Sequence, residues 1–154
     1  MNNERAILNL IAKYTHHVDK AQFNQVGELF ANGTLITAFN SPKGKEQVAK
    51  HLNDNLQVYP EGTLRTSHVT TNIVLDVNDE AGTATGESYL TLFQQNADKG
   101  FPLQVILTGI YHDKFKLSEG AWHFESRELE VSLVGDISHH AKAGSSESQT
   151  GGDN

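Results

Sequence analysis

The sequence contains no cysteine, which excludes disulfides, a thiolate nucleophile and thiolate metal ligands. No apolar run approaches the roughly 20 residues needed to span a bilayer. The opening Met1-Asn2-Asn3-Glu4-Arg5 also lacks the apolar stretch of a secretory signal. A cytoplasmic protein without a membrane partner is therefore expected. Basic charge is in short supply: 12 Lys and Arg stand against 19 Asp and Glu, a formal net charge of −7. That balance opposes a phosphate backbone and leaves no counterion release to drive binding, so nucleic acid is not an expected partner. No repeat of fixed period is visible. No glycine-rich phosphate loop follows a strand, and neither His16-His17 nor Ser138-His139-His140 has a zinc spacing such as H-E-x-x-H. Neither a metal nor a cofactor is expected.

What is present fits one domain: 154 residues can bury a real core but leave no room for a second. Ile7, Leu10, Ile11, Tyr14 and Val18 recur at three- and four-residue steps and predict a first helix with one apolar stripe. Phe23, Val26, Leu29 and Phe30 repeat the pattern in a shorter helix. A strand is expected over 34–39, then a turn at Asn40-Ser41-Pro42-Lys43-Gly44, then a third helix carrying Val48, Leu52 and Leu56. From Thr66 the period becomes two. Val69, Thr71, Ile73, Leu75 and Val77 are expected on one face of the strand, and His68, Thr70, Asn72 and Val74 on the other. Further long strands are expected over 83–94, 103–117 and 121–134, joined by segments rich in Gly, Asn and Asp. Helices first and consecutive strands afterwards argue for an α+β fold, its helices packed on a strongly twisted, mostly antiparallel sheet that leaves a conical hollow. The hollow is where chemistry is expected. The domain is expected over 1–141, and a mobile tail over 142–154, which lacks any large apolar residue.

His68 is the first candidate for that chemistry, because an imidazole with a reference pKa near about 6.5 suits proton transfer at neutral pH. Asp19 has two readings. With Gln22 it has the spacing of a capping box, and as a carboxylate bonded to His68 it would fix the tautomer and stabilise the imidazolium. Tyr14 lies on the apolar stripe of the first helix, where core packing is its local reading, although a buried hydroxyl needs a partner. Tyr89 and Tyr111 point either into the hollow or outward, and each, if inward, could donate a hydrogen bond to a substrate oxygen as charge develops there. Asn72 shares the expected face of His68. Arg127 lies among Leu129, Val131 and Leu133, where a charge is either functional or paired with an acid such as Glu125. Ser67 points away from its neighbour His68 and is no partner for it.

Several segments together carry a resemblance: the opening helix with Tyr14 and Asp19, then Leu29-Phe30-Ala31, Arg65-Thr66-Ser67-His68-Val69-Thr70-Thr71-Asn72, Gly109-Ile110-Tyr111-His112-Asp113, and Gly120-Ala121-Trp122-His123-Phe124. Over 6–140 the chain resembles the SnoaL-like branch of the nuclear transport factor 2-like superfamily. That superfamily includes scytalone dehydratase, bile acid 7α-dehydratase, hexachlorocyclohexane dehydrochlorinase and the beta subunits of ring-hydroxylating dioxygenases. The resemblance implies a cone-shaped fold, with Asp19 and His68 at the positions of the family's catalytic pair and Tyr14 at that of a functional tyrosine in the bile acid enzyme. The chain departs from its relatives elsewhere. The second histidine of scytalone dehydratase falls near Ile106 or Leu107, the lysine and arginine of the dehydrochlorinase fall near Tyr14 and Leu117, and the Asp-Arg-Asp set of a limonene epoxide hydrolase is not evident. The implied activity is a cofactor-independent lyase or isomerase, dehydratase-like, acting on a small hydrophobic cyclic molecule. In this reading Tyr111, Tyr89, Asn72 and Arg127 contact the substrate. The alternative is a non-catalytic subunit that binds a small ligand or assembles as dioxygenase beta subunits do. Apolar residues on an outer sheet face predict a homodimer or homotrimer.

Overall fold

The apolar stripe of Ile7, Leu10, Ile11, Tyr14 and Val18 is the buried face of helix α1 (Asn3–Asp19) in the computed structural model, which describes residues 2–145. Asn2 caps this helix, its side chain accepting from the Arg5 amide at 2.7 Å. Helix α2 (Phe23–Leu29) and helix α3 (Gly44–Asn55) bury Phe23, Val26, Val48 and Leu52 and pack on each other. Between them lies strand β1 (Thr34–Ile36), shorter than its sequence predicts. It stops because Thr37 turns the chain: its amide donates to the Asn40 carbonyl at 2.8 Å, and its hydroxyl accepts from the Asn40 amide at 3.1 Å.

Four long strands follow: β2 (Thr66–Asn78), β3 (Thr83–Asn96), β4 (Phe101–Ser118) and β5 (Ala121–Val134), with a short 3₁₀ turn (Ala97–Lys99) before β4. The sheet order is β1-β5-β4-β3-β2. All neighbours are antiparallel except β1 on β5, so the sheet is mixed. The parallel edge needs close backbone approach at Gly33, where a Cβ would stand 2.1 Å from the Phe124 carbonyl oxygen. Alternate residues of β3 and β4, among them Leu90, Leu92, Leu107, Tyr111 and Phe115, point to the helical side, and burial of each large side chain contributes roughly 1.5–3 kcal/mol. The architecture is the expected α+β cone, helices on one face of a curved sheet.

Strand β2 breaks the expected alternation. Its register with β3 slips between Thr71 and Val74, and Asn72 takes a left-handed φ of +54°. The bulge turns the strand over. His68 and Thr70 are partly buried before it and Leu75 and Val77 after it, whereas Val69, Ile73 and Val74 are exposed. The single apolar face expected along the strand therefore does not exist.

Among the described residues no helix is long and apolar enough to cross a membrane. Of the expected tail, residues 146–154 lie outside the described residues, and 142–145 are tied back to α3, the Lys142 amide donating to the Asn55 carbonyl at 2.9 Å.

Candidate active site

Strand β2 is an edge strand, so half of its backbone N–H groups have no strand partner. The last residue of α1 meets that need. The Asp19 carboxylate accepts from the His68 amide at 3.0 Å and from the Thr66 hydroxyl at 2.8 Å, while the Asp19 carbonyl accepts from the Leu64 amide at 3.1 Å. Asp19 Oδ1 also stands 2.5 Å from His68 Nδ1. A carboxylate accepts only, so in the neutral imidazole the proton sits on Nδ1 and the lone pair on Nε2. Burial works against the charged form of Asp19, but the hydrogen bonds and charge of His68, with the Thr66 hydroxyl, hold its pKa below the ordinary carboxylate value. The capping-box reading of Asp19 is not realised. Gln22 instead bonds His17 Nδ1 at 2.8 Å, and α2 has no side-chain cap.

His68 forms part of the wall of a cavity beneath the helices. The space open to the centres of water-sized atoms is about 80 Å³. Leucines 35, 52, 56, 90, 92, 107 and 129 dominate the lining, and Tyr14, Tyr111, Thr37, His51 and His140 supply the other polar groups. Asp19 is not in the lining; it stands behind the imidazole. Such a chamber suits an apolar ring carrying one or two polar substituents.

Arg127 does not line the cavity, contrary to its expected role as a substrate contact. It is fully buried and its acid is Asp113, its direct cross-strand neighbour on β4, rather than Glu125. Nε and Nη2 donate to the two carboxylate oxygens at 2.9 and 3.1 Å. The guanidinium carbon lies 3.6 Å from the Tyr111 ring centroid and 4.4 Å from that of Tyr14, the two tyrosines that wall the cavity. Burial first, then Tyr14, pushes the Tyr111 hydroxyl well above its ordinary pKa against the opposing pull of Arg127, so it stays protonated and able to donate.

Two further expectations fail for a shared reason, their place on the sheet. Tyr89 is 50% exposed on the outer side of β3, and Asn72 is exposed in the bulge; neither borders the cavity. The residue missed is His140. The segment after β5 returns to the cavity, where Leu56 bridges Ala141 and the Gln57 amide donates to the His140 carbonyl at 2.8 Å. This places Ile137, His140 and Ala141 in the lining. Ile137 and Ala141, apolar residues on either side of His140 just before the polar tail, were the available signal.

Burial, then the neighbouring His68, pulls the pKa of His140 down to about 3 from its ordinary 6.5. Between those values the unfolded chain binds a proton that the folded chain refuses. The contribution of this residue to stability is therefore complete above pH 6.5 and is lost as pH falls toward 3. Denaturant unfolding at pH 7 and pH 5 is expected to show a loss of about 2 kcal/mol that His140→Phe largely removes. The part due to Asp19, whose pKa is lowered, is lost only as pH falls below 3.8.

Residues 1–128 match the family model described as a SnoaL-like domain. Solved structures share the fold. A protein from Novosphingobium aromaticivorans with the provisional name scytalone dehydratase is 25% identical, with a TM-score of 0.68 and coverage of 86% of this chain and 86% of its own. A cystatin-like-fold protein of unknown function from Nostoc punctiforme is 22% identical, with a TM-score of 0.71 and coverage of 88% and 95%. A second Novosphingobium aromaticivorans protein, provisionally named an aromatic ring hydroxylase, is 16% identical, with a TM-score of 0.69 and coverage of 89% and 95%. No curated protein matches the chain.

Proposed function

The chain belongs to the SnoaL-like domain family, and from that premise we propose that it is a cofactor-independent lyase or isomerase acting on a small hydrophobic cyclic substrate. The observation that carries this reading is the Asp19 carboxylate at His68 Nδ1, on the wall of a cavity lined mainly by leucine. His68 Nε2 removes a proton from a carbon next to a carbonyl. Its imidazolium is stabilised by Asp19, and the enolate oxygen accepts from the hydroxyls of Tyr14 and Tyr111. As the enolate collapses, the imidazolium returns the proton either to a departing β-hydroxyl, which leaves as water, or to another carbon of the system. The first outcome is dehydration and the second isomerisation.

Exposed Val69, Ile73, Tyr89, Val105 and Leu133 support pairing with further copies of the chain as a homodimer or homotrimer. The activity itself is tested by incubating the protein with cyclic ketones and cyclic β-hydroxy ketones in D₂O and following them by NMR. Deuterium at the carbon next to the carbonyl, or loss of water from the hydroxy ketone, is the expected result. A panel in which neither exceeds the rate without protein would reject the reaction class.

A further inference from the structure

We propose that His140 is a ligand-binding residue of this cavity, holding a carbonyl or hydroxyl oxygen of the bound molecule through its ring N–H. The inference rests on reading the cavity as a substrate site, and it names the substituent that the site selects.

The His140 side chain is placed for binding rather than for packing alone. The residue is only 9% exposed, lines the cavity, and has a ring nitrogen, Nδ1, that is buried with no hydrogen-bond partner among the described residues. A neutral imidazole carries one donor and one acceptor, and a buried polar atom left without a partner is costly. A leucine at this position would fill the space without that cost. The ring is not adrift, because its backbone is fixed at both polar groups: the amide donates to Ile137 and the carbonyl accepts from Gln57.

Position adds a second argument. The ring centroids of His68 and His140 are 6.3 Å apart at an interplanar angle of 63°, close enough for one substituted ring to address both. His68 has its Nδ1 committed to Asp19, whereas His140 makes no comparable ion pair among the described residues. Burial and the neighbouring His68 keep His140 neutral through the physiological range. A neutral imidazole is a hydrogen-bond donor that does not compete with His68 for the transferred proton, the combination wanted opposite a general base. The two histidines thus divide the work: one takes a proton from carbon, and the other joins the tyrosine hydroxyls in holding an oxygen of the bound molecule. The favoured ligands are small cyclic ketones and their hydroxylated relatives, against hydrocarbons of equal shape.

The test compares cyclohexanone with methylenecyclohexane, which replaces the oxygen by a CH₂ group. Binding of each is measured by NMR titration to the wild-type protein, His140→Leu and His140→Gln, and the ring nitrogen signals of His140 are followed in the wild type. The wild type is expected to prefer the ketone about 10-fold, the worth of satisfying a buried polar group. The leucine variant should bind both molecules alike, and the glutamine variant, which keeps an N–H, should retain part of the preference. Equal binding by the wild type, or a preference that survives His140→Leu, overturns the proposal. Should the leucine variant not fold, the wild-type spectra decide: His140 signals that move with the ketone and not with the hydrocarbon support it, and signals that stay put overturn it. Because binding is the readout, a chain that selects ketones through His140 but turns none over would separate this inference from the lyase reading.

Discussion

Replacing His68 with glutamine is expected to lower turnover by about 100-fold or more, the usual worth of a positioned general base. The variant isolates basicity from architecture. The glutamine amide can still donate toward Asp19, and the backbone amide at position 68, which also bonds that carboxylate, is unchanged. The fold should therefore persist while the lone pair facing the cavity disappears. Asp19→Asn should cost at least as much, since an amide N–H turned toward Nδ1 favours the tautomer with the proton on Nε2 and the charge that supports the imidazolium is lost. Steady-state rates on the hydroxy ketone or ketone that responds in D₂O measure both. His68→Gln with activity within a few-fold of the wild type would end the case for this base.

The largest stability effect is expected at a residue with no assigned chemistry. Asp113→Ala leaves the guanidinium of Arg127 fully buried without its carboxylate, and removing one partner of a buried pair costs about 3–5 kcal/mol. For a chain of this length that is a fall in Tm on the order of 10 °C. Replacing both residues, as Asp113→Leu with Arg127→Met, should recover much of the loss, because the cost lies in the unpaired charge. Thermal unfolding of the single and double variants measures this, and an Asp113→Ala protein within about 1 kcal/mol of the wild type contradicts it. The double variant also removes the cation from behind Tyr14 and Tyr111, so it separates the structural value of Arg127 from any influence on those hydroxyls.

The helices and long strands were legible because their information is local. The stripe of α1 and the Gly-bearing reversals between strands need only periodicity and turn chemistry. The bulge in β2 was not legible, since a single inserted residue inverts every later side chain without changing the composition that signals a strand. Alternation puts Asn72 on the face of His68, but β2 does not keep that alternation, and the strand position of Tyr89 leaves its direction open. Arg127 stood out as a charge among apolar residues, but its partner depends on the β4–β5 register, which places Asp113 across from it and Glu125 elsewhere. Asp19, His68 and Tyr14 could be nominated from type, position and resemblance. That α1 ends against the edge of β2 is a tertiary fact with no local trace. His140 has no such signal of its own, because a histidine pair near a polar tail resembles surface sequence, and only the return of 137–141 to Leu56 and Gln57 shows otherwise.

That return has a consequence for how new specificities could arise. Ile137, His140 and Ala141 come from a short stretch that follows the sheet and is joined by a single bridge to Leu56, just after α3, rather than to the ladder. Exchanging those few positions would redraw one side of the binding chamber while the proton-transfer apparatus on α1 and β2 stays as it is. The chain carries, in effect, an interchangeable cassette, and a library confined to Ile137, His140 and Ala141 would sample new ligands while His139, which bonds Asn96 and packs on Phe101, keeps the segment in place.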